Sequence, residues 1–453
     1  KIHKFKLPAA GLVALSFFMI ICLGTAFLCI PAATADRSVS FLNALFTATS
    51  ATCVTGLSVA GTAAHWSYFG QAIILLLIQV GGLGFITIIS LFMLYVKKHT
   101  SLSQRKLVMQ SAGSVDLASI KGLVKIILLG TLIFEFVGAF CLCFAFVPVY
   151  GWGEGIWQAV FTSVSAFCNA GFTITDAFTK GGVRGGASLV DYVSNPLVNI
   201  VVIVLSIIGG IGVFVWGDVI HHGIKINKYS FHSKVVLSTT GVLVVLGWAL
   251  FMAFEWNNPA TIGGKGVGTK ILASLFMSVT PRTAGFNTVD YANMSGAGNT
   301  LTSVLMLVGG SPGSTAGGLK TTTLAVFVLS MWATSRRYDE IHLYKRRFET
   351  DASHQASAIV CLYVLVAVAS TMLLCAVEGA DASLEKVAFE VISALGTVGL
   401  SQGITASLHA FSKVVLIMLM FFGRVGGFTL VLIFSGEKKP VALSRVADKI
   451  IIG

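Results

Sequence analysis

An all-α polytopic membrane protein made of four tandem copies of one unit is the fold class this sequence predicts, on three observations. The first is composition: 453 residues, 55% hydrophobic and only 11% charged, with a mean hydropathy of +0.86, are too apolar for a soluble domain of this length. The second is a repeat. Gly56, Gly171, Gly285 and Gly399 stand 115, 114 and 114 residues apart, each near the end of a similar segment: FTATSATCVTGL, FTSVSAFCNAGF, FMSVTPRTAGF and FEVISALGTVGL. A fixed period this long means one structural unit used four times. The third is the placing of charge. Basic clusters at Lys1, Lys4 and Lys6, at Lys97, Lys98, Arg105 and Lys106, at Lys225, Lys228 and Lys234, at Arg336, Arg337, Lys345, Arg346 and Arg347, and at Lys438, Lys439 and Arg445 occupy alternate connections. Positive charge gathers on the inner side, so these connections and both termini are expected to be cytoplasmic. Orientation and anionic inner-leaflet lipid thereby account for the net charge of +12, and nucleic acid is not called for.

Each unit reads as a first span, a short re-entrant helix, a glycine loop and a second span. The units are 1–96, 97–222, 223–335 and 336–453, giving eight transmembrane helices and four re-entrant pore helices around one pore. In the first unit the elements fall at 8–30, about 39–51, 54–57 and 70–96. Lys1 to Lys6, the apolar run and Ala33-Thr34-Ala35 imitate a secretory signal, but 8–30 is long enough to span about 30 Å of hydrocarbon and the unit needs it as a first helix. The second unit has 120–147, about 155–167, 169–172 and 197–220. The third has 234–256, about 268–280, 283–286 and 300–334, and the fourth 357–378, about 384–395, 397–400 and 412–435. The re-entrant helices, about 20 Å long, cannot cross alone. Non-helical backbone at membrane depth must line a watery cavity or be buried in protein, so the loops face inward. Two crossings per unit make the copies parallel, whereas inverted repeats require an odd number.

Four equivalent loops around an axis suit a cation, because a ring of carbonyl oxygens can replace its hydration shell. Four helices directing their C-termini at the axis add partial negative charge without a carboxylate that would hold the ion too tightly. Glycine turns a carbonyl inward with least strain, and small neighbours allow close approach. The candidate ion-binding residues are Val54, Thr55 and Gly56, Asn169, Ala170 and Gly171, Thr283, Ala284 and Gly285, and Thr397, Val398 and Gly399. Glycine also packs helix against helix in membranes, a reading that four copies in register disfavour.

These residues, with SVTPRTAGFNT at 278–288, GGSPGSTAGGLKTTT at 309–323, ALGTVGLS in the fourth unit and GRVGGFTL at 423–430, make the chain resemble the Trk/Ktr/HKT superfamily of potassium transporters over essentially its whole length. It looks most like the Ktr-type membrane subunit, since no extra helix pair precedes the first unit. The resemblance implies potassium as the transported ion, held by the loop carbonyls, with sodium as a candidate activator. In this superfamily a serine at the first filter position is associated with sodium preference, and this chain has Gly56. The resemblance further implies a homodimer in a bacterial plasma membrane, on a cytosolic ring of nucleotide-binding (RCK-type) regulatory subunits.

The run Gly309, Gly310, Ser311, Gly313, Ser314, Thr315, Gly317, Gly318 and Lys320 nearly spells a phosphate loop, but Leu319 intervenes before Lys320 and Thr321 and no soluble strand precedes it. Each interior glycine costs a helix about 1 kcal/mol against alanine, so the run is not a stiff helix. It reads as a flexible plug, and the resemblance implies an intramembrane gating loop. Lys320 and Arg424 lie in apolar surroundings, where a charge needs a partner or a cavity. Arg424 is read as a pore charge that bonds loop carbonyls or repels cations, or as a structural tie. Glu135, Asp218 and Glu390 are the acidic counterparts, Glu390 being the candidate to support a filter. His65, His221, His222, His232, His342, His354 and His409 fall near span ends and suggest no proton relay. The cysteines show no metal or disulfide spacing. No organic cofactor is implied, and no motif of a membrane enzyme is present in the sequence. A sodium- or proton-coupled secondary transporter, with substrate at the glycine-rich break, is the alternative.

Overall fold

The computed structural model describes residues 9–96, 120–175, 188–338, 342–344, 346–348, 350–379 and 383–426. The basic clusters at 1–6, 97–106 and 438–445, Lys345 and the stretch 427–435 of the expected last span lie outside them.

The described chain is almost wholly helical. Among these residues, Ile126–Tyr150, Phe231–Glu255 and Asp351–Glu378 are long and apolar enough to cross a membrane, and the bent pair Pro196–Ile211 and Val213–His222 makes a fourth candidate. Around an apolar interior, large apolar side chains are also exposed and polar ones buried. Phe136 and Met372 are 74% and 68% exposed, whereas Ser50, Ser163, Ser274 and Glu390 have no exposed surface. Lipid accepts the apolar side chains, while hydroxyls and carboxylates must find partners inside. The chain is a multi-pass membrane protein.

Four shorter helices, Phe41–Thr52, Trp152–Cys168, Val267–Val279 and Leu384–Gly396, occupy the expected re-entrant positions and are buried toward their C-terminal ends. Each packs on the long helix before it: Ala9–Leu28, Ile120–Tyr150, Phe231–Glu255 and Thr350–Glu378. The following helices tie the set together in chain order. Tyr68–Val96 packs on Trp152–Cys168, Pro196–Ile211 on Val267–Val279, Gly296–Leu307 on Leu384–Gly396, and Ala410–Val425 back on Phe41–Thr52.

Glycine permits these approaches. A Cβ at Gly81, Gly209 or Gly423 would strike the carbonyl oxygen of Thr52, Phe167 or Leu395, the same contact made three times. Caps set the helix starts. Asn195 accepts from Leu197 N at 3.1 Å ahead of Pro196, and Ser295 accepts from Gly298 N at 3.0 Å. Buried Glu255 joins two of these helices, accepting from Ser295 N at 3.0 Å and Ser295 Oγ at 2.5 Å, and from Asn258 and Thr261 at 2.8 Å each.

One expectation is corrected. The second spans at 70–96 and 197–220 are not continuous helices, whereas 300–334 is interrupted at the glycine-rich run, as its composition suggests. Gly84 (φ 73°, ψ 165°) interrupts Tyr68–Val96, and Gly212 (φ 92°, ψ 156°) separates two helices bent by 97°. Residues 308–320 separate Gly296–Leu307 from Thr321–Ser335, and Gly426 (φ 91°, ψ 124°) ends Ala410–Val425. The φ/ψ region of Gly84 and Gly212 is essentially closed to residues with a side chain, so the sequence itself dictates where these helices stop.

Candidate functional site

The four glycine loops share one backbone. Val54 (φ 57°), Asn169 (φ 59°), Thr283 (φ 69°) and Thr397 (φ 52°) are left-handed, and so in φ are Gly56 (95°), Gly171 (68°), Gly285 (75°) and Gly399 (93°), while the residue between each pair has negative φ. In an extended strand successive carbonyls alternate in direction; alternating the sign of φ brings them round toward one side, as a ring of cation-coordinating oxygens requires. A left-handed residue other than glycine is uncommon, and four at equivalent places mark a shared constraint.

The helix ends hold the loops. Thr55 N donates to Ser50 O at 2.8 Å, Ala170 N to Ser165 O at 2.7 Å, Ala284 N to Thr280 O at 3.0 Å and Val398 N to Ser393 O at 2.9 Å. The hydroxyls of Ser50 and Ser393 also accept from Gly56 N and Gly399 N at 3.1 Å each. With the amides turned back toward their helices, the loop carbonyls are left free of them.

The loops meet in a closed ring. A Cβ on Gly56 would collide with Ala170 O, one on Gly171 would stand 2.9 Å from Gly285 Cα, one on Gly285 would collide with Val398 O, and one on Gly399 with Thr55 O. All four glycines line one cavity of about 520 Å³. Asp191 and Asp290 also line it, and its described lining holds no lysine or arginine.

The segment 308–320 lies against the opposite ends of these loops. Its ends pair, Gly309 N donating to Leu319 O at 2.8 Å and Leu319 N to Leu307 O at 3.3 Å. Between them it takes the carbonyls that the broken helices leave free. Ser311 N donates to Gly210 O at 2.9 Å, Thr315 N to Gly209 O at 3.3 Å and Gly318 N to Gly423 O at 3.3 Å, and the segment's Gly313 O accepts from Val213 N at 3.1 Å. Arg424 donates to Thr315 O and to Gly81 O, joining the segment to the first broken helix. Lys320 Nζ donates to Ala316 O at 2.7 Å, and Ser311 Oγ shares a 2.9 Å hydrogen bond with Thr321 Oγ1. A Cβ at Gly317 would strike Thr397, and one at Gly310 would stand 2.6 Å from Ala316 Cβ. The segment is thus densely bonded, through its backbone as well as its side chains.

The profile of the family described as TrkH, cation transport protein, matches residues 21–440. The chain belongs to this family. It is 40% identical over 430 residues to the potassium/sodium uptake protein NtpJ of Enterococcus hirae, covering 94% of this chain and 92% of that one. It is 36% identical to the Ktr system potassium uptake protein B of Bacillus subtilis, covering 93% and 92%, and 34% identical to that of Vibrio alginolyticus, covering 100% and 97%. In fold it is similar to the potassium transporter TrkH of Vibrio parahaemolyticus, with a TM-score of 0.71 at 20% identity, over 96% of this chain and 87% of that one.

In this TrkH-family chain two carboxylates brace the ring from behind. Glu390 accepts from Thr405 Oγ1 at 3.0 Å and from Ser401 Oγ, two residues past Gly399. Glu135 accepts from Gln79 Nε2 at 3.1 Å and lies 3.8 Å from Cys168 Sγ, the residue before Asn169. Asp218 is not part of this constellation; it accepts from Ser230 N at 3.0 Å and Ser230 Oγ at 2.6 Å where the next long helix begins. Two features escaped the sequence reading. One is Glu255. The other is a recurrence: Gly84, Gly212, Gly313 and Gly426 follow the ring glycines by 28, 41, 28 and 27 residues, and of these the sequence reading singled out Gly313 alone, whereas aligning the four units could have found the rest.

Proposed function

We propose that this chain is the ion-translocating subunit of a channel-like potassium uptake system in a bacterial plasma membrane. The four loops form its selectivity filter, at the centre of four parallel units with the bounds 1–96, 97–222, 223–335 and 336–453. The observation that carries this reading is the closed ring with its fourfold alternation of φ. Asn169, Thr283, Thr397 and their neighbours offer carbonyls, not carboxylates, which suits a large, weakly hydrated monovalent cation that must also leave. Gly56 at the first filter position favours potassium over sodium, and sodium acts as an activator. The short helices Phe41–Thr52, Trp152–Cys168, Val267–Val279 and Leu384–Gly396 serve as pore helices, directing negative dipole ends at the ion.

The 308–320 segment is the gate, lying across the path beneath the filter. Cytosolic nucleotide-binding subunits release it, acting on a homodimer through basic connections that include Arg336, Arg337, Arg346 and Arg347. Both termini lie on that side. Flux of potassium, rubidium and sodium into liposomes holding the purified chain tests the reading. Potassium and rubidium should pass well ahead of sodium, and equal passage of all three would overturn it.

A further inference from the structure

The gate and the filter touch at the second loop. Asn169, the left-handed residue that opens this loop, has no exposed surface, and its side chain points at the 308–320 segment. Its amide and Thr315 Oγ1 share a 3.0 Å hydrogen bond. With the amide oxygen turned to Thr315, the same side chain accepts from Gly210 N at 3.2 Å and donates to Ser206 O at 3.2 Å, so one residue joins filter, gate and helix break. Thr315 Oγ1 also lies 3.3 Å from Phe167 O, at the end of the second short helix.

We propose that Thr315 is a specificity-determining residue: by bonding Asn169 it sets the shape of the second filter loop, so that ion preference depends on where the gate sits. The inference rests on the reading of the ring as filter and of 308–320 as gate. Asn169 is buried and its amide is fixed by Thr315, Gly210 N and Ser206 O together, so withdrawal of Thr315 removes one of three bonds and lets the loop shift toward the two that remain. The other three loops lack this connection: Val54 has no polar side-chain atom, Thr283 Oγ1 bonds its neighbour Arg282 O at 2.7 Å, and Thr397, packed against Gly317, makes no hydrogen bond through its hydroxyl. Through a side-chain hydrogen bond, the gate therefore engages the left-handed residue of one loop of four.

The experiment is a double-mutant cycle on the full-length chain in liposomes, with or without its cytosolic subunits, comparing Thr315→Val, Thr315→Ser, Asn169→Gly and the pair Thr315→Val with Asn169→Gly. Glycine is chosen because it accepts the left-handed conformation. Two quantities are read separately: total potassium flux, and the potassium-to-sodium flux ratio. Thr315→Val is expected to change the ratio by about two- to tenfold, the scale of one hydrogen bond, while Thr315→Ser holds it. Asn169→Gly should change it too, and the double variant no further than the larger single one. Where valine does not assemble, Thr315→Ala, which only removes atoms, takes its place. A change in flux at constant ratio would overturn the coupling and leave the gate standing. Independent, multiplying effects on the ratio would overturn the direct bond. Loss of neither flux nor ratio in any variant would overturn the filter and gate readings together with this one.

Discussion

The ring of loops and the set of helix breaks beneath it are built on opposite principles. In the ring, the same left-handed and positive-φ positions recur four times, from Val54 and Gly56 to Thr397 and Gly399. Among the breaks, Gly84 and Gly212 interrupt their helices at single residues, whereas the third unit departs from helix over 308–320 and fills the space with bonded backbone. An ion shedding water needs equivalent oxygens on every side, so symmetry serves selection. A gate needs one element that can take two positions against a frame that cannot. Gly81, Gly209, Gly210 and Gly423, in the other three units, supply that frame's free carbonyls.

The largest effects are expected where the symmetry is broken. A side chain at Gly171, Gly285 or Gly399 would stand in a positive-φ position against the neighbouring loop's backbone. Serine there should lower potassium uptake by about 10- to 100-fold, the equivalent of about 1–3 kcal/mol. Gly56→Ser should shift potassium against sodium on the same scale. Uptake assays in a potassium-dependent host check this, and full potassium affinity with serine at all four positions singly would remove them from the filter.

Next comes the asymmetric element. Because Gly309 and Leu319 are already paired, deleting Ser311 to Gly317 leaves ends that lie side by side. The deletion should raise potassium flux roughly tenfold or more, taking about 1.4 kcal/mol as the gate's hold, and make it less dependent on cytosolic subunits. Low, fully subunit-dependent flux from a folded, dimeric deletion variant would sink the gate. Arg424→Gln should act in the same direction by a smaller factor, since it loses two charge-assisted bonds worth about 1.5–3 kcal/mol each, part of which the frame recovers by relaxing. Arg424→Lys should restore it only in part, because one ammonium does not match the fork that reaches both Thr315 O and Gly81 O.

How far the sequence could be read follows the same division. The short helices and the glycine loops were legible because repetition exposes them: Gly56, Gly171, Gly285 and Gly399 need no structure to be aligned. The left-handed turn at Val54 was not, since a β-branched residue is a poor left-handed former, and here it takes that conformation with the next amide bonded to Ser50 O. The breaks at Gly84 and Gly212 were missed for another reason. Hydropathy runs unbroken through Leu83, Gly84 and Phe85, and one glycine in an apolar stretch is usually tolerated in a helix. The backbone bonding of the 308–320 segment was not legible, because its partners at Gly209, Gly210 and Gly423 are distant in the chain and are backbone atoms.

The smallest effect separates the two kinds of break. Gly84 and Gly212 share a conformation that costs a residue with a side chain about 1–3 kcal/mol. Their surroundings differ. A Cβ at Gly84 would meet nothing within 4 Å, whereas one at Gly212 would stand 2.8 Å from Pro312 O and 3.3 Å from Ser314 N, in the 308–320 segment. Alanine should therefore lower the thermal stability of both variants by a similar amount, and only Gly212→Ala should change basal flux. The expected change is an increase of about two- to fivefold, since the displaced segment loses part of its hold on Gly209 and Gly210, a matter of one net hydrogen bond. Melting temperature and subunit-free potassium flux, measured on both variants in one preparation, decide it. Equal flux changes would mean that helix bending, not contact with the segment, controls the path, and that the symmetric and asymmetric parts of the molecule are not separable as argued.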